Sequence, residues 1–174
     1  DVISNSAIGL YLRMGDIWID DVTIDASTVF GAFLVSLDTI TINNLTATTD
    51  PELSASSAYD VWGTSDGGVS GTGVLAVSDD MQISGLDVSG FNNCGLFLQP
   101  ASSGVTGVAN VSNATITNTG RYGVFSASMD ATFIDSSVTE TRVVDEEADR
   151  IDESLGADVL CYYVNYYAAI YNSE

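Results

Sequence analysis

A short pattern recurs along this 174-residue chain and constrains its fold more than any other feature. Each copy has a glycine followed by alternating apolar residues, then a second strand-like stretch that ends at Asp, Asn or Gly. That last residue follows the glycine by 12 or 13 positions in four of the five copies. A repeat of about 22 residues is typical of stacked-repeat proteins, in which each repeat contacts only its neighbours. The glycines that open the copies are Gly9, Gly31, Gly73, Gly95 and Gly123.

The residue that ends the second stretch predicts a tight turn, because Asn, Asp and Gly tolerate a left-handed backbone conformation. Residues 121–141 show one whole repeat, with three short strands separated by a polar corner and by this turn. No apolar stripe at helical spacing runs through it. We therefore predict a turn ladder, a column of stacked turn residues that consists of Asp21, Asn44, Gly85, Asn113 and Asp135.

Departures from the regular spacing predict three insertions. Residues 48–70, rich in Ser, Gly and Asp, form a loop insertion, and six extra residues follow at 100–105. Residues 141–156 form a short helical insertion, because their apolar residues recur at spacings of four, three and four. The chain is predicted to be a single domain over residues 1–174 and to be part of a longer protein.

These repeats resemble the right-handed parallel β-helix proteins of the pectin-lyase-like superfamily. The resemblance covers residues 4–141 and rests on Gly-apolar-x-apolar strands, such as GLYL from Gly9 and GAFLV from Gly31, and on the Asn/Asp turn column. It implies an all-β, right-handed parallel β-helix, or solenoid, of about five to six coils. It also implies three stacked parallel sheets and an inward-facing Asn ladder, although only two of the five turn residues are Asn here.

Strand alternation gives the first sheet of the repeat an outward-facing apolar stripe. An exposed stripe of this kind marks an interface or a binding groove. The alternative is that the chain's own insertions cover the stripe, since parallel sheets are commonly buried on both faces. The predicted ligand or partner face consists of Tyr11, Phe33, Leu75, Phe97 and Phe125.

Acidic residues recur seven positions after the opening glycine and predict an acidic column at one corner. Like charges one strand spacing apart, about 4.8 Å, repel unless something neutralises them. Two alternatives stay open: each carboxylate accepts backbone N–H groups of its turn, or Ca²⁺ bridges the carboxylates. No other cofactor is predicted. The candidate metal ligands are Asp16, Asp38, Asp79 and Asp80.

The charge balance excludes several classes of function. The chain has 24 acidic residues, four Arg, no Lys and no His, for a formal net charge of −20. This charge repels nucleic acid and anionic membrane surfaces, and it fits solubility, affinity for cations or residence in high salt. No apolar stretch is long enough to predict membrane insertion. Without His, serine–histidine and cysteine–histidine nucleophiles are excluded.

Cys94 and Cys161 are the only cysteines, and either one disulfide or two free thiols is consistent with the sequence. If both lie in one column two repeats apart, they are separated by roughly 9.6 Å. That distance exceeds disulfide reach and favours free thiols.

The sequence favours a structural or binding protein, an adhesin, stalk or filament subunit, located outside the cell or on its surface. The unpaired edges of such a stack invite self-association or binding to another surface protein. The alternative implied by the resemblance is a polysaccharide lyase or glycoside hydrolase that acts in the groove over the first sheet. A hydrolase needs only two carboxylates. The absence of Lys and His favours the structural role over the enzyme, with polysaccharide as a further candidate partner.

Overall fold

The computed structural model describes residues 1–52, 54, 71–120 and 122–139, together with the backbone of 157–162 and 168–171. This part of the chain is all β, and it contains no helix long and apolar enough to cross a membrane. The strands are β1 (Val2–Ser4), β2 (Ile8–Met14), β3 (Ile17–Asp25), β4 (Phe30–Ser36), β5 (Thr39–Thr48), β6 (Thr72–Val77), β7 (Asp80–Ser89), β8 (Cys94–Gln99), β9 (Gly107–Thr117), β10 (Tyr122–Ala127), β11 (Met129–Ile134), β12 (Ser137–Thr139), β13 (Ala157–Tyr162) and β14 (Ala168–Tyr171).

The strands form two sheets, and every pair of neighbouring strands runs parallel. The six-stranded sheet has the order β13-β10-β8-β6-β4-β2. The eight-stranded sheet has the order β1-β3-β5-β7-β9-β11-β14, with β12 also paired to β9. From β2 to β11 the chain alternates between the sheets, so that neighbours in each sheet come from successive repeats. The prediction of an all-β fold with parallel sheets is confirmed.

The core lies between the two sheets and is built from the inward members of each strand. Leu34 of the six-stranded sheet and Ile42 and Ile83 of the eight-stranded sheet belong to one buried cluster. Each fully buried side chain of this size stabilises the fold by about 1.5–3 kcal/mol. Alternation along the strands therefore separates an apolar interior from the outer faces.

The glycines that open the first four repeats are required by close packing between the sheets. A Cβ at Gly9 would meet Cγ2 of Ile24, and a Cβ at Gly95 would meet Cγ2 of Ile116. Both isoleucines lie near the ends of strands in the eight-stranded sheet, where the chain returns towards the six-stranded sheet. The recurring glycine thus leaves room for side chains of the facing sheet, which a Cβ would displace.

The eight-stranded sheet bends at the turn ladder. All five ladder residues have φ between 49 and 68°. Hydrogen-bonded pairing continues on both sides of the bend, with Asp20 opposite Asn43 and Val22 opposite Leu45. Because β3, β5, β7 and β9 run through a single left-handed residue, the structure has two sheets where the resemblance implied three.

A second column of left-handed residues closes the repeat, at the point where the chain leaves the eight-stranded sheet. Its backbone N–H groups continue the parallel pairing, for example from Ala26 N to Thr48 O at 2.9 Å. Thr49 takes the corresponding position where the predicted loop insertion begins. The members with positive φ, from 49 to 88°, are Asn5, Ala26, Gly90 and Asn118.

The predicted insertions lie largely outside the described residues. Of the loop insertion 48–70, the structure describes 48–52 and 54. Asn92 holds this segment, because its Nδ2 donates to the carbonyl oxygens of Pro51 at 2.7 Å and Ser54 at 2.8 Å. The predicted helical insertion 141–156 falls wholly outside the description.

Candidate functional site

The predicted partner face forms one outward column on the six-stranded sheet. Strand register places Tyr11, Phe33, Leu75, Phe97 and Phe125 opposite one another in turn. The rings of Tyr11 and Phe33 meet edge to face at 5.2 Å between centroids. Those of Phe97 and Phe125 stack at 4.8 Å.

This column is not an open stripe along its length. Phe33 and Leu75 are buried, Phe97 and Phe125 are half-buried, and Tyr11 is 53% exposed. The middle of the column belongs to a second hydrophobic cluster on the outer side of the sheet, separate from the main core. Ala101 of the six-residue insertion packs against that cluster. Burial of the middle favours the alternative in which the chain itself covers the face, and leaves Tyr11 as its exposed end.

The acidic corner differs from its predicted alignment by one residue. Thr39, not Asp38, pairs with Asp80. Ile17 pairs with Ile40, so Asp16, the residue before Ile17, lies opposite Thr39, the residue before Ile40. Paired residues of the first two repeats are 22 positions apart in the sequence in the six-stranded sheet and 23 positions apart in the eight-stranded sheet. The extra residue lies at this corner, where exposed Leu37 precedes Asp38. The expectation that Asp16, Asp38 and Asp80 stack in one row is therefore wrong.

Asp79 binds the six-residue insertion at this corner. Its Oδ2 accepts the Ser102 hydroxyl at 2.6 Å, and its Oδ1 accepts the Ser102 backbone N–H at 3.0 Å. The hydroxyl first, and then the backbone N–H, hold the pKa of the Asp79 carboxyl below its usual value. This carboxylate therefore acts as an anchor for residues 100–105.

The other acids at this corner have separate hydrogen-bond partners. Asp16 Oδ1 accepts Thr39 N–H at 3.4 Å, and Asp80 Oδ1 accepts Nε2–H of Gln82 at 2.9 Å. Asp38 lies over Gly15, since a Cβ there would stand 3.1 Å from Asp38 Oδ2. Within the described residues no group of three or more acidic, His or Cys side chains is arranged to hold a metal ion. The structure does not gather the four predicted ligands at one point.

Buried serines form the inner side of the same corner, which sequence reasoning missed. Ser78 Oγ lies 2.7 Å from the carbonyl oxygen of Asp38 and 2.9 Å from that of Asp80. Ser36 Oγ contacts the carbonyl oxygen of Gly15 and accepts Asp38 N–H at 3.0 Å. These bonds satisfy polar backbone groups next to the core. The signal is the tripeptide Ser-x-Asp, which recurs at 36–38, 78–80 and 128–130.

The turn ladder lies on the outer surface, whereas the resemblance implied an inward Asn ladder. Asn44 Nδ2 donates to Asp21 Oδ1 at 3.0 Å, and both side chains are exposed. Apolar Ile42 and Leu45 fill the interior on either side of Asn44. An inward amide there would lose its hydrogen bonds to water without a polar partner. The outward position gives Asn44 both water and the Asp21 carboxylate as partners.

The cysteines lie in different columns. Cys94 pairs with Tyr122, whereas Cys161 pairs with Ser126, four residues further along β10. At about 3.3 Å per residue, that offset alone exceeds disulfide reach. Cys94 is a buried free thiol whose Sγ–H donates to the carbonyl oxygen of Leu96. Burial raises the pKa of this thiol to about 12.

A further outward column lies on the eight-stranded sheet, before the turn ladder, and sequence reasoning missed it. Trp18 opens the column and is 71% exposed. Asn110 Nδ2 donates to Gln82 Oε1 at 3.3 Å within it. The sequence indicates this column by the residues that alternate with the buried apolar ones in IWIDD, TITIN and MQISG. We call this row the Trp18 column; its members, paired in turn, are Trp18, Thr41, Gln82, Asn110 and Thr132.

Comparison of the chain with family models, with curated proteins and with solved structures finds no match.

Proposed function

We propose that the chain is a right-handed parallel β-helix, a solenoid, with a structural role as an adhesin, stalk or filament subunit outside the cell or on its surface. The observation that supports this most is the register. From β2 to β11 the strands alternate between two parallel sheets, and equivalent residues of successive repeats pair. A stack of this kind extends by adding repeats without changing its cross-section. Such a protein presents a long, repetitive surface to its partners, in place of a single binding pocket.

The edge formed by β1 and β2 supports self-association. β2 is an edge strand of the six-stranded sheet, and β1 is an edge strand of the eight-stranded sheet. Leu10 and Leu12 of β2 are only half-buried, whereas Ala32 and Leu34, their partners on β4, are fully buried. An edge with an apolar row accepts a further strand, either from a second copy or from another part of a longer protein. A second copy stacked in the same direction would continue both sheets, because all their strands are parallel.

The enzymatic alternative finds no support in the six-stranded sheet. Its strands β2, β4, β6, β8 and β10 contain no Asp or Glu, and β13 contains a single one, Asp158. A glycoside hydrolase that acted over this sheet would need two carboxylates there. A lyase that relied on a carboxylate-bound cation would need acids there too. The structural role is therefore preferred to the lyase or hydrolase.

Self-association is tested by a charge placed at the β2 edge. Leu10→Lys puts an ammonium group among the interior leucines of that edge, and we expect it to abolish stacking. Val108→Lys makes the same charge change on an outer face and is the matched control; Val108 is 44% exposed. Sedimentation velocity over a range of concentrations is the measurement, in about 1 M salt, where the Debye length is about 3 Å and repulsion between copies is screened.

We expect the wild-type chain and Val108→Lys to form species that grow with concentration, and negative-stain images to show unbranched rods. Leu10→Lys should remain a monomer with a cooperative thermal transition. A wild-type monomer at every concentration would contradict the filament role. Equal association of Leu10→Lys and Val108→Lys would show that the β2 edge is not the interface.

A further inference from the structure

We propose that the face around the Trp18 column binds a polysaccharide whose sugars carry free amines. This inference deepens the adhesin role, on which it rests, by naming the face and the partner. The face is the outer side of the eight-stranded sheet on the Trp18 side of the turn ladder. It is distinct from the predicted partner face, which lies on the other sheet.

Trp18 is the apolar part of this face. Its indole is 71% exposed on a strand whose inward neighbours, Ile17 and Ile19, are buried. A large aromatic side chain left in water forgoes the favourable free energy of burying its apolar surface. An indole has an apolar face and a polar N–H, so it suits a partner that is apolar on one side and hydrated on the other. The C–H face of a sugar ring has that character.

Hydrogen-bonding side chains continue the column across the sheet, one on each strand. Thr41, Gln82, Asn110 and Thr132 follow Trp18 over four strand spacings, or about 19 Å. Gln82 and Asn110 bond to each other at 3.3 Å, and Gln82 bonds to Asp80 at 2.9 Å. Each amide has two N–H donors and two acceptor lone pairs, so these bonds leave capacity for a ligand. A linear polymer rich in hydroxyl groups, laid across the strands, matches this row.

The charge of this face determines which of these polymers can bind to it. The row beside the column carries Asp16, Asp80 and Asp130, each exposed and two residues before a column member, and Asp20 lies on the opposite side of Trp18. Strands β3, β5, β7, β9 and β11 contain no Lys or Arg. A face of this sign repels uronic acid polymers and attracts ammonium groups. Sugars with a free amine on each unit complement both the acidic row and the Trp18 column.

The probe is a glucosamine hexamer, and titration calorimetry is the measurement. We expect saturable binding by the folded chain in moderate salt. The fully acetylated hexamer, which lacks the charges, should bind at least about tenfold more weakly, and a galacturonate hexamer should not bind. A lysine hexamer carries six amines without sugar rings and so tests the effect of charge alone. It should also bind at least about tenfold more weakly than the glucosamine hexamer.

Two pairs of variants locate the site. Trp18→Ala should weaken binding of the glucosamine hexamer by about tenfold or more. Tyr11→Ala, which removes an exposed aromatic side chain from the other sheet, should leave binding unchanged. Asp80→Asn should weaken binding severalfold. Asp87→Asn, an equal charge change at an exposed residue of the same strand beyond the turn ladder, should not. All four positions are exposed, so each variant should keep the wild-type thermal transition.

Several results would overturn the proposal: no binding of the glucosamine hexamer, equal binding of its acetylated form, or equal binding of the lysine hexamer. Equal effects of Asp80→Asn and Asp87→Asn would also overturn it, because binding would then follow net charge alone. The assay uses dilute monomer, and the β2 edge takes no part in it. Loss of binding with stacking intact thus rejects this inference alone, and loss of stacking with binding intact rejects the filament role alone.

Discussion

Single residues set the bends of this chain. Asn44 connects three members of the turn ladder, because its Nδ2 donates to Asp21 and its Oδ1 lies over Gly85. A Cβ at Gly85 would collide with that oxygen, and φ there is +68°. Gly85 is therefore needed for two separate reasons, its backbone conformation and the space above it.

Gly85→Ala should cost more than a left-handed alanine alone. The conformation costs about 1–2 kcal/mol. The added Cβ also displaces the Asn44 side chain, whose hydrogen bond to Asp21 contributes about 0.5–1.5 kcal/mol. Gly104→Ala is the matched control, because φ is +75° and no atom lies within 4 Å of the added Cβ. Urea unfolding of both variants measures the difference. Equal losses of unfolding free energy would mean that the collision is relieved at no cost.

At this scale the sequence reveals the turn ladder better than the second turn column. Asn, Asp and Gly mark every ladder position. In the second column Ala26 is left-handed and Thr49 begins an insertion, so residue type alone hides the alignment. Its members donate backbone hydrogen bonds to neighbouring repeats, and no local pattern encodes these contacts. The sequence likewise predicts the ladder's position and not its outward side, which depends on what fills the core.

Strands are the next scale, and β8 shows how burial changes chemistry. Leu96 and Leu98 point into the core, and Cys94, two residues before Leu96, is buried as well. The thiol therefore has no water to stabilise its ionised form, and its pKa is raised to about 12.

Cys94 should make the protein lose stability in alkali. The unfolded thiol ionises near its ordinary pKa of 9.0, and the folded thiol near 12. Between those values the folded state holds one more proton, so the stabilisation present below pH 9 is lost as pH rises towards 12. The slope for one group is at most about 1.4 kcal/mol per pH unit.

The measurement is urea unfolding as a function of pH for Cys161→Ser and for Cys94→Ala in that background. All other titratable groups are common to the two proteins, so the difference between the curves isolates Cys94. We expect the Cys161→Ser protein to lose stability more steeply above pH 9. Parallel curves would contradict the raised pKa.

Strand positions follow from alternation and from the recurring glycine, and these were predictable. Two other features were not, because they depend on contacts between distant segments. Burial of Leu75 on the outer side of its sheet comes from packing beyond its own strand. The misaligned acidic row follows from one extra residue at the Leu37 corner, which equal counting from the glycine cannot detect.

At the scale of the whole molecule, the parallel register of the strands is the feature on which the proposed functions depend. The proposed β-helix, the stacking edge and the Trp18 column all require that equivalent residues of successive repeats lie side by side. In β5 and β7, Thr41 pairs with Gln82, and Asn43 pairs with Ser84. Both pairs point outward at one strand spacing, about 4.8 Å, which is within the Cα separation that a disulfide spans.

Disulfide trapping between these strands, in a Cys94→Ala, Cys161→Ala background, tests this register directly. Thr41→Cys with Gln82→Cys, and Asn43→Cys with Ser84→Cys, should each form an intramolecular disulfide in the native protein, detected by mass spectrometry. Asn43→Cys with Asp80→Cys should not, because a parallel register separates those positions by four residues, or roughly 13 Å along the strand. If β5 and β7 ran antiparallel with Thr41 opposite Gln82, Asn43 would face Asp80. A disulfide in that last pair, or none between positions 43 and 84, would contradict the parallel stack.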